Sequence, residues 1–124
     1  MKQISTPHAP AAIGPYSQAL RSGNMVFVSG QIPVDPATGV MPESIEEQAK
    51  QALTNLKNVL LAAGLHMDQV IKTTVFLADL ADFPRVNAVY ESFFRAPYPA
   101  RSCVQVAGIP KGAGVEIECI AIEE

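Results

Sequence analysis

Ile45, Ala49, Leu53, Leu56, Leu60 and Ala63 recur at spacings of three and four. That spacing predicts one amphipathic helix over 45–63, apolar along a single face. Ser44 and Glu47 read as a capping box, in which each side chain satisfies a backbone N–H of the first turn. Glu43, Glu46 and Glu47 crowd the positive end of the helix dipole, and Gly64 supplies a left-handed stop. Such a helix cannot bury its stripe alone. It needs a layer to cover, and the rest of the chain must supply one.

The β-branched run 70–77 reads as a buried strand. Upstream, 16–21 and 25–29 flank Gly23-Asn24, a two-residue hairpin signal. That register sets Gln18 opposite Ser29 and puts Tyr16 on the face of Ser29 as its diagonal neighbour. A second helix is predicted from Asp82 as N-cap, with Pro84 in its first turn and Phe83, Val86, Tyr90, Phe93 and Phe94 on its apolar face. Two further strands are expected at 100–107 and 115–122, joined by a loop rich in Gly and Pro. The order strand, strand, helix, strand, helix, strand, strand predicts an α+β domain spanning 1–124, with two helices on one face of a single mixed sheet. The other sheet face would need cover, which small domains often obtain by oligomerising.

Composition narrows the function. Apolar residues make up 48% of the 124 and charged residues 17%, a globular mix that argues against disorder. The net charge is −3 and the nine Lys and Arg are scattered, which disfavours a nucleic-acid partner that needs clustered cations. No window approaches the roughly 20 apolar residues of a membrane helix. The N-terminus carries no apolar signal segment. Cys103 and Cys119 form no CxxC pair or zinc-ligand cluster, so reduced thiols in the cytoplasm are the expectation.

Arg101 lies inside a strand pattern that also sends Cys103 and Gln105 to its face. A guanidinium near a protein interior needs an anion: an internal carboxylate, or a ligand carboxylate gripped by two parallel N–H···O bonds. An exposed edge arginine is the third possibility. Glu116 and Glu118 share a face of the last strand. A half-buried Glu116 could titrate high enough to serve as a general base, whereas Glu118 reads as solvated. Asn87 falls at the edge of the second helix's apolar stripe. Cys103 sits beside Arg101, whose charge would lower a thiol pKa. Cysteine chemistry also wants a base, and His8 and His66 lie in loops without a motif. Tyr16 follows Gly14-Pro15, which aims its ring. Strand periodicity alone does not say whether Glu116 meets Arg101 within one chain.

Six blocks in order carry a resemblance over nearly the whole chain: Ala11-Ala12-Ile13-Gly14-Pro15-Tyr16, Val28-Ser29-Gly30-Gln31-Ile32-Pro33, Lys72-Thr73-Thr74-Val75-Phe76, Asp82-Phe83 with Val86-Asn87, Pro99-Ala100-Arg101-Ser102, and Val115-Glu116-Ile117-Glu118. Together they resemble the RidA/YjgF family of imine and enamine deaminases. The resemblance implies a chorismate-mutase-like fold and a homotrimer with sites in clefts between subunits. It also implies a small-molecule substrate. This would be a reactive enamine such as 2-aminoacrylate or 2-aminocrotonate, released by pyridoxal-phosphate dehydratases and hydrolysed as its imine to a 2-keto acid and ammonia. By that resemblance Arg101 would hold the substrate carboxylate and Glu116 would activate water. Backbone amides near Gly30 and Cys103 would bind the polar edge, Tyr16, Ser29 and Asn87 would line the site, and Phe83 would form an apolar wall. No cofactor is implied. A ribonuclease or translation inhibitor, and a non-catalytic 2-keto-acid binder or chaperone, are the alternative functions.

Overall fold

A computed structural model describes all 124 residues. The strands are β1 (Lys2–Ile4), β2 (Ala19–Ser22), β3 (Met25–Gln31), β4 (Val70–Leu77), β5 (Ala100–Gln105) and β6 (Val115–Ile122). The helices are α1 (Ile45–Ala62) and α2 (Phe83–Phe93). They form one sheet in the order β1-β2-β3-β6-β4-β5. The β4–β5 pair, linked through α2, is parallel and the others are antiparallel. The mixed α+β sheet expected from the sequence is therefore present, with β1 as an additional edge strand that no periodicity announced.

Helix α1 starts and stops where its caps place it, although only the Ser44 half of the expected capping box forms. The Ser44 side chain accepts from the Glu47 amide at 3.2 Å, and Gly64 takes φ 77° just beyond the end. Asp82 sits at the N-cap of α2, but its carboxylate pairs with Arg85 instead of capping the helix. The hairpin turns at Gly23-Asn24 as read, with Ser22 opposite Met25 and the Ser29 amide donating to Gln18 O at 2.9 Å. The strand itself begins at Ala19, not Tyr16. Gly14 at φ 119° and a Tyr16 N–H to Gly14 O bond turn the chain away, and the Gln18 side chain reaches back to the carbonyls of Thr6, Ala9 and Pro10. Tyr16 thus lies outside the ladder, and its diagonal pairing with Ser29 does not form. Strand β5 also ends at Gln105, short of the expected 107.

Both helices pack on one sheet face. Leu53, Leu56 and Leu60 of α1 and Val86 of α2 meet Val26, Val28, Val75, Leu77, Val115 and Ile117 in a single buried cluster. The opposite face carries Leu20, Phe27, Phe76, Val104 and Ile120 with no layer over them, by the strand register. Phe27 and Val104 are each 44% exposed there. For two large side chains on a central and an edge strand, that is apolar surface left in contact with water.

Two polar residues in the buried face of α1 tie loops to the sheet. Gln48 accepts from the Gly114 amide at 2.7 Å and donates to Pro42 O, fixing the entry to β6. Asn55, fully buried, donates to Ile32 O and Val34 O and accepts from Gln51. Asn55→Leu strands the buried Val34 carbonyl, while Ile32 O keeps the Val34 amide. Urea unfolding should read a loss of roughly 1–3 kcal/mol, larger than an exposed polar change gives.

Candidate active site

Strand β5 closes the sheet with one neighbour, so half of its backbone is unpaired. The Val106 amide donates to Leu77 O at 2.9 Å. By the alternation of a parallel ladder, the amides of Ser102 and Val104 face β4, while those of Arg101, Cys103 and Gln105 face the open edge. Arg101 pairs in register with Thr73, and Cys103 with Val75, so both side chains rise on the helix side. There Phe83, Asn87 and Tyr90 descend from one stripe of α2. The Arg101 guanidinium carbon lies 4.7 Å from the Tyr90 ring centroid and 5.3 Å from that of Phe83. One terminal nitrogen donates to Asn87 Oδ1 at 2.7 Å. Tyr98 and Pro99, in the tight connection before β5, complete an open cavity of about 470 Å3 over these groups.

Each of the other three arginines pairs with an acid: Arg21 with Glu123, Arg85 with Asp82 and Arg95 with Asp68. Arg101 has no acidic partner. Held by two rings and an amide oxygen, it makes no ion pair, although Glu91 lines the same cavity, and the residue is exposed. Of the partners the sequence left open, an internal carboxylate is eliminated. Two readings remain: an exposed arginine on edge strand β5, which its exposure fits, and a fork free to take a ligand anion.

Glu116 stands elsewhere. It opposes Phe76 on β4, on the uncovered face of the sheet. The β3–β6 register slips between Val28 and Gln31, and the bulge sets Ser29 and Gly30 beside β6. The Glu116 carboxylate lies so close over Gly30 that a Cβ there would be 2.0 Å from Oε2. Only glycine admits the contact. The Ser29 hydroxyl donates to Ser17 O at 2.6 Å, holding the segment that carries Tyr16. Tyr16 and Gly30 line a second cavity of about 540 Å3 together with Ile13 and Lys111. The structure therefore gathers the expected residues into two groups: Arg101, Asn87, Phe83 and Cys103 on the helix face, and Glu116, Gly30, Ser29 and Tyr16 around the bulge. Arg101 and Glu116 point to opposite faces of one sheet. A single chain does not bring them together.

Burial raises the Glu116 pKa, and the neighbouring Glu118 raises it further. Because the folded carboxyl holds its proton more tightly, Glu116 adds stability below its unfolded pKa, and this is lost as pH rises through the folded pKa. By carboxyl NMR it should titrate above the ordinary glutamate range, and Glu118→Gln should move the midpoint part of the way down. An unmoved midpoint would leave burial as the sole cause. Cys103 reverses its expectation. Its thiol is pushed up, since burial outweighs the lowering effect of Arg101. Cys119, wholly within the core, is pushed up to about 12. Neither thiol is poised as a nucleophile.

Sequence reasoning assigned Tyr90 to the core and Thr73 to a strand block, without connecting either to Arg101. The spacing Phe83, Asn87, Tyr90 was available as a helical stripe, but only the β4–β5 register reveals what it faces.

Known proteins resemble this chain along nearly its whole length. Residues 6–123 match the family model described as Endoribonuclease L-PSP. The 2-iminobutanoate/2-iminopropanoate deaminase of Salmonella typhimurium is 55% identical over 124 residues, 98% of this chain and 97% of that protein. Its Escherichia coli counterpart is 54% identical with the same coverage. The crystal structure of E. coli TdcF with bound serine covers all of both chains at 51% identity, with a TM-score of 0.97. No helix is long and apolar enough to cross a membrane. Half of all positions and nearly the entire backbone are thus shared with these proteins, and the chain belongs to the Endoribonuclease L-PSP family, the RidA/YjgF family that its six sequence blocks resemble.

Proposed function

We propose that the chain is a 2-iminobutanoate/2-iminopropanoate deaminase, hydrolysing reactive imines to 2-keto acids and ammonia at sites shared between subunits of a homotrimer. The observation that carries this reading is the unpaired Arg101 guanidinium, held open in a cavity while every other arginine is neutralised. Relatives of this length and similarity bear that activity as their name. The 2-imino acid would enter as its protonated imine, its carboxylate on the free N–H groups of Arg101 and its reacting carbon near the outward Cys103 amide. Glu116 of a neighbouring subunit would take a proton from water as the oxygen adds to C2. The same carboxyl would return the proton to nitrogen and, as ammonia leaves, take up the carbinolamine's hydroxyl proton, so that the ketone forms and the proton is released with ammonia as ammonium. A carboxylate with a raised pKa suits both transfers. The uncovered sheet face, with Phe27 and Val104, would be closed by the other subunits, and the enzyme would act in the cytoplasm.

Mixing the protein with a threonine dehydratase tests the reading directly. The appearance of 2-ketobutyrate should accelerate in its presence, and light scattering should give about three times the 13.2 kDa chain mass. A monomer mass would contradict a shared site. The family's description favours one second reading, endoribonuclease activity. The net charge of −3 opposes it. RNA cleavage, with an affinity that falls steeply as salt is added, would favour that reading over the first.

A further inference from the structure

The Tyr90 ring that lies under the Arg101 guanidinium is not free to tip. Its hydroxyl shares a 2.7 Å hydrogen bond with Thr73 Oγ1. Thr73 is the register partner of Arg101 on the neighbouring strand. Tyr90 is 4% exposed and Thr73 0%, and the Tyr90 ring packs on Phe94 at 4.6 Å between centroids, the planes tilted by 38°. A hydroxyl pair is an expensive way to fill such a place, because each group loses water and is tolerated only when bonded. Phe and Val would fill the volume without that cost. What the pair adds is orientation: it pins a helix-borne ring to the strand beside Arg101, 4.7 Å from the guanidinium carbon. Asn87 holds one terminal nitrogen of the same cation.

We propose that Tyr90, locked by Thr73, is a positioning residue that holds the Arg101 guanidinium in the plane a ligand carboxylate needs. The inference rests on Arg101 being the carboxylate anchor. It adds that the fork is set before the ligand arrives, which lowers the ordering cost of binding.

The experiment reads Arg101 itself as well as the ligand. In wild-type protein the side-chain N–H signals of Arg101 should show the ring-current shift of a cation over an aromatic face. Tyr90→Leu should abolish most of that shift and weaken 2-ketobutyrate binding about fivefold, roughly 1 kcal/mol. Thr73→Val and Tyr90→Phe should each weaken binding about two- to threefold, with the double variant no worse than either single, since both cut one bond. A purely structural role would lower the melting temperature and leave the Arg101 signals and the keto-acid Kd unchanged well below it. That outcome in Tyr90→Leu overturns the proposal. If wild type binds no 2-keto acid although Tyr90→Leu still moves the Arg101 signals, the carboxylate reading falls and the Tyr90–Arg101 coupling stands.

Discussion

Arg101→Ala is expected to abolish the acceleration of keto-acid formation in the dehydratase-coupled assay. Two charge-assisted hydrogen bonds to a carboxylate disappear together, each worth about 1.5–3 kcal/mol, so kcat/KM should fall on the order of 100-fold or more. The fold should survive, because Arg101 neutralises no acid, and its loss forfeits its stacking on Phe83 and Tyr90, about 1 kcal/mol, and one exposed hydrogen bond to Asn87. A melting curve close to wild type would therefore separate lost chemistry from lost structure. Arg101→Lys is the sharper variant. An ammonium keeps the charge, but it lacks the planar fork that can donate to Asn87 and a carboxylate at once. It should recover no more than about a tenth of the wild-type rate. Full activity in Arg101→Ala would end the assignment of the anchor.

How much of this was legible in the sequence depends on how local each feature is. The stripe of α1, its Ser44 cap and its Gly64 stop are set by neighbours within a turn or two, and they appear where the spacing puts them. Strands β4 and β6 begin and end at the residues their composition marked. The shared face of Arg101 and Cys103 also follows from strand alternation alone. The start of β2 was misjudged because long-range side-chain bonds decide it, above all those from Gln18 to Thr6, Ala9 and Pro10. The roles of Gln48 and Asn55 were hidden for the same reason, since their partners are carbonyls and an amide in distant loops. The direction of the Cys103 shift needed the weight of burial against charge, and sequence supplied only the charge. The relation of Arg101 to Glu116 was the least accessible. It depends on β6 inserting between β3 and β4 while β5 is sent to the edge, an order no local pattern encodes.

That order leads to the second large effect. If each site takes Arg101 from one subunit and Glu116 from the next, two inactive variants should rescue one another. Glu116→Gln should lower kcat by about 10²–10⁴, the usual contribution of a general base, while 2-keto-acid binding persists. Gly30→Ala should act on the same carboxylate by steric means. The added Cβ meets Oε2 at 2.0 Å, and the flexible end of Glu116 must swing aside. The strand can remain intact, yet a displaced base can cost up to about 100-fold. Equal amounts of Arg101→Ala and Glu116→Gln chains, unfolded and refolded together, should assemble at random. About one interface in four then pairs an intact Arg101 with an intact Glu116, and activity should return to roughly a quarter of wild type. The mixture must be refolded, because preformed oligomers of either variant contain no complete site. If mixed oligomers form with the wild-type mass and remain inactive, the two residues do not meet across subunits. Since they face opposite sides of one sheet, the shared-site mechanism would then have lost its base.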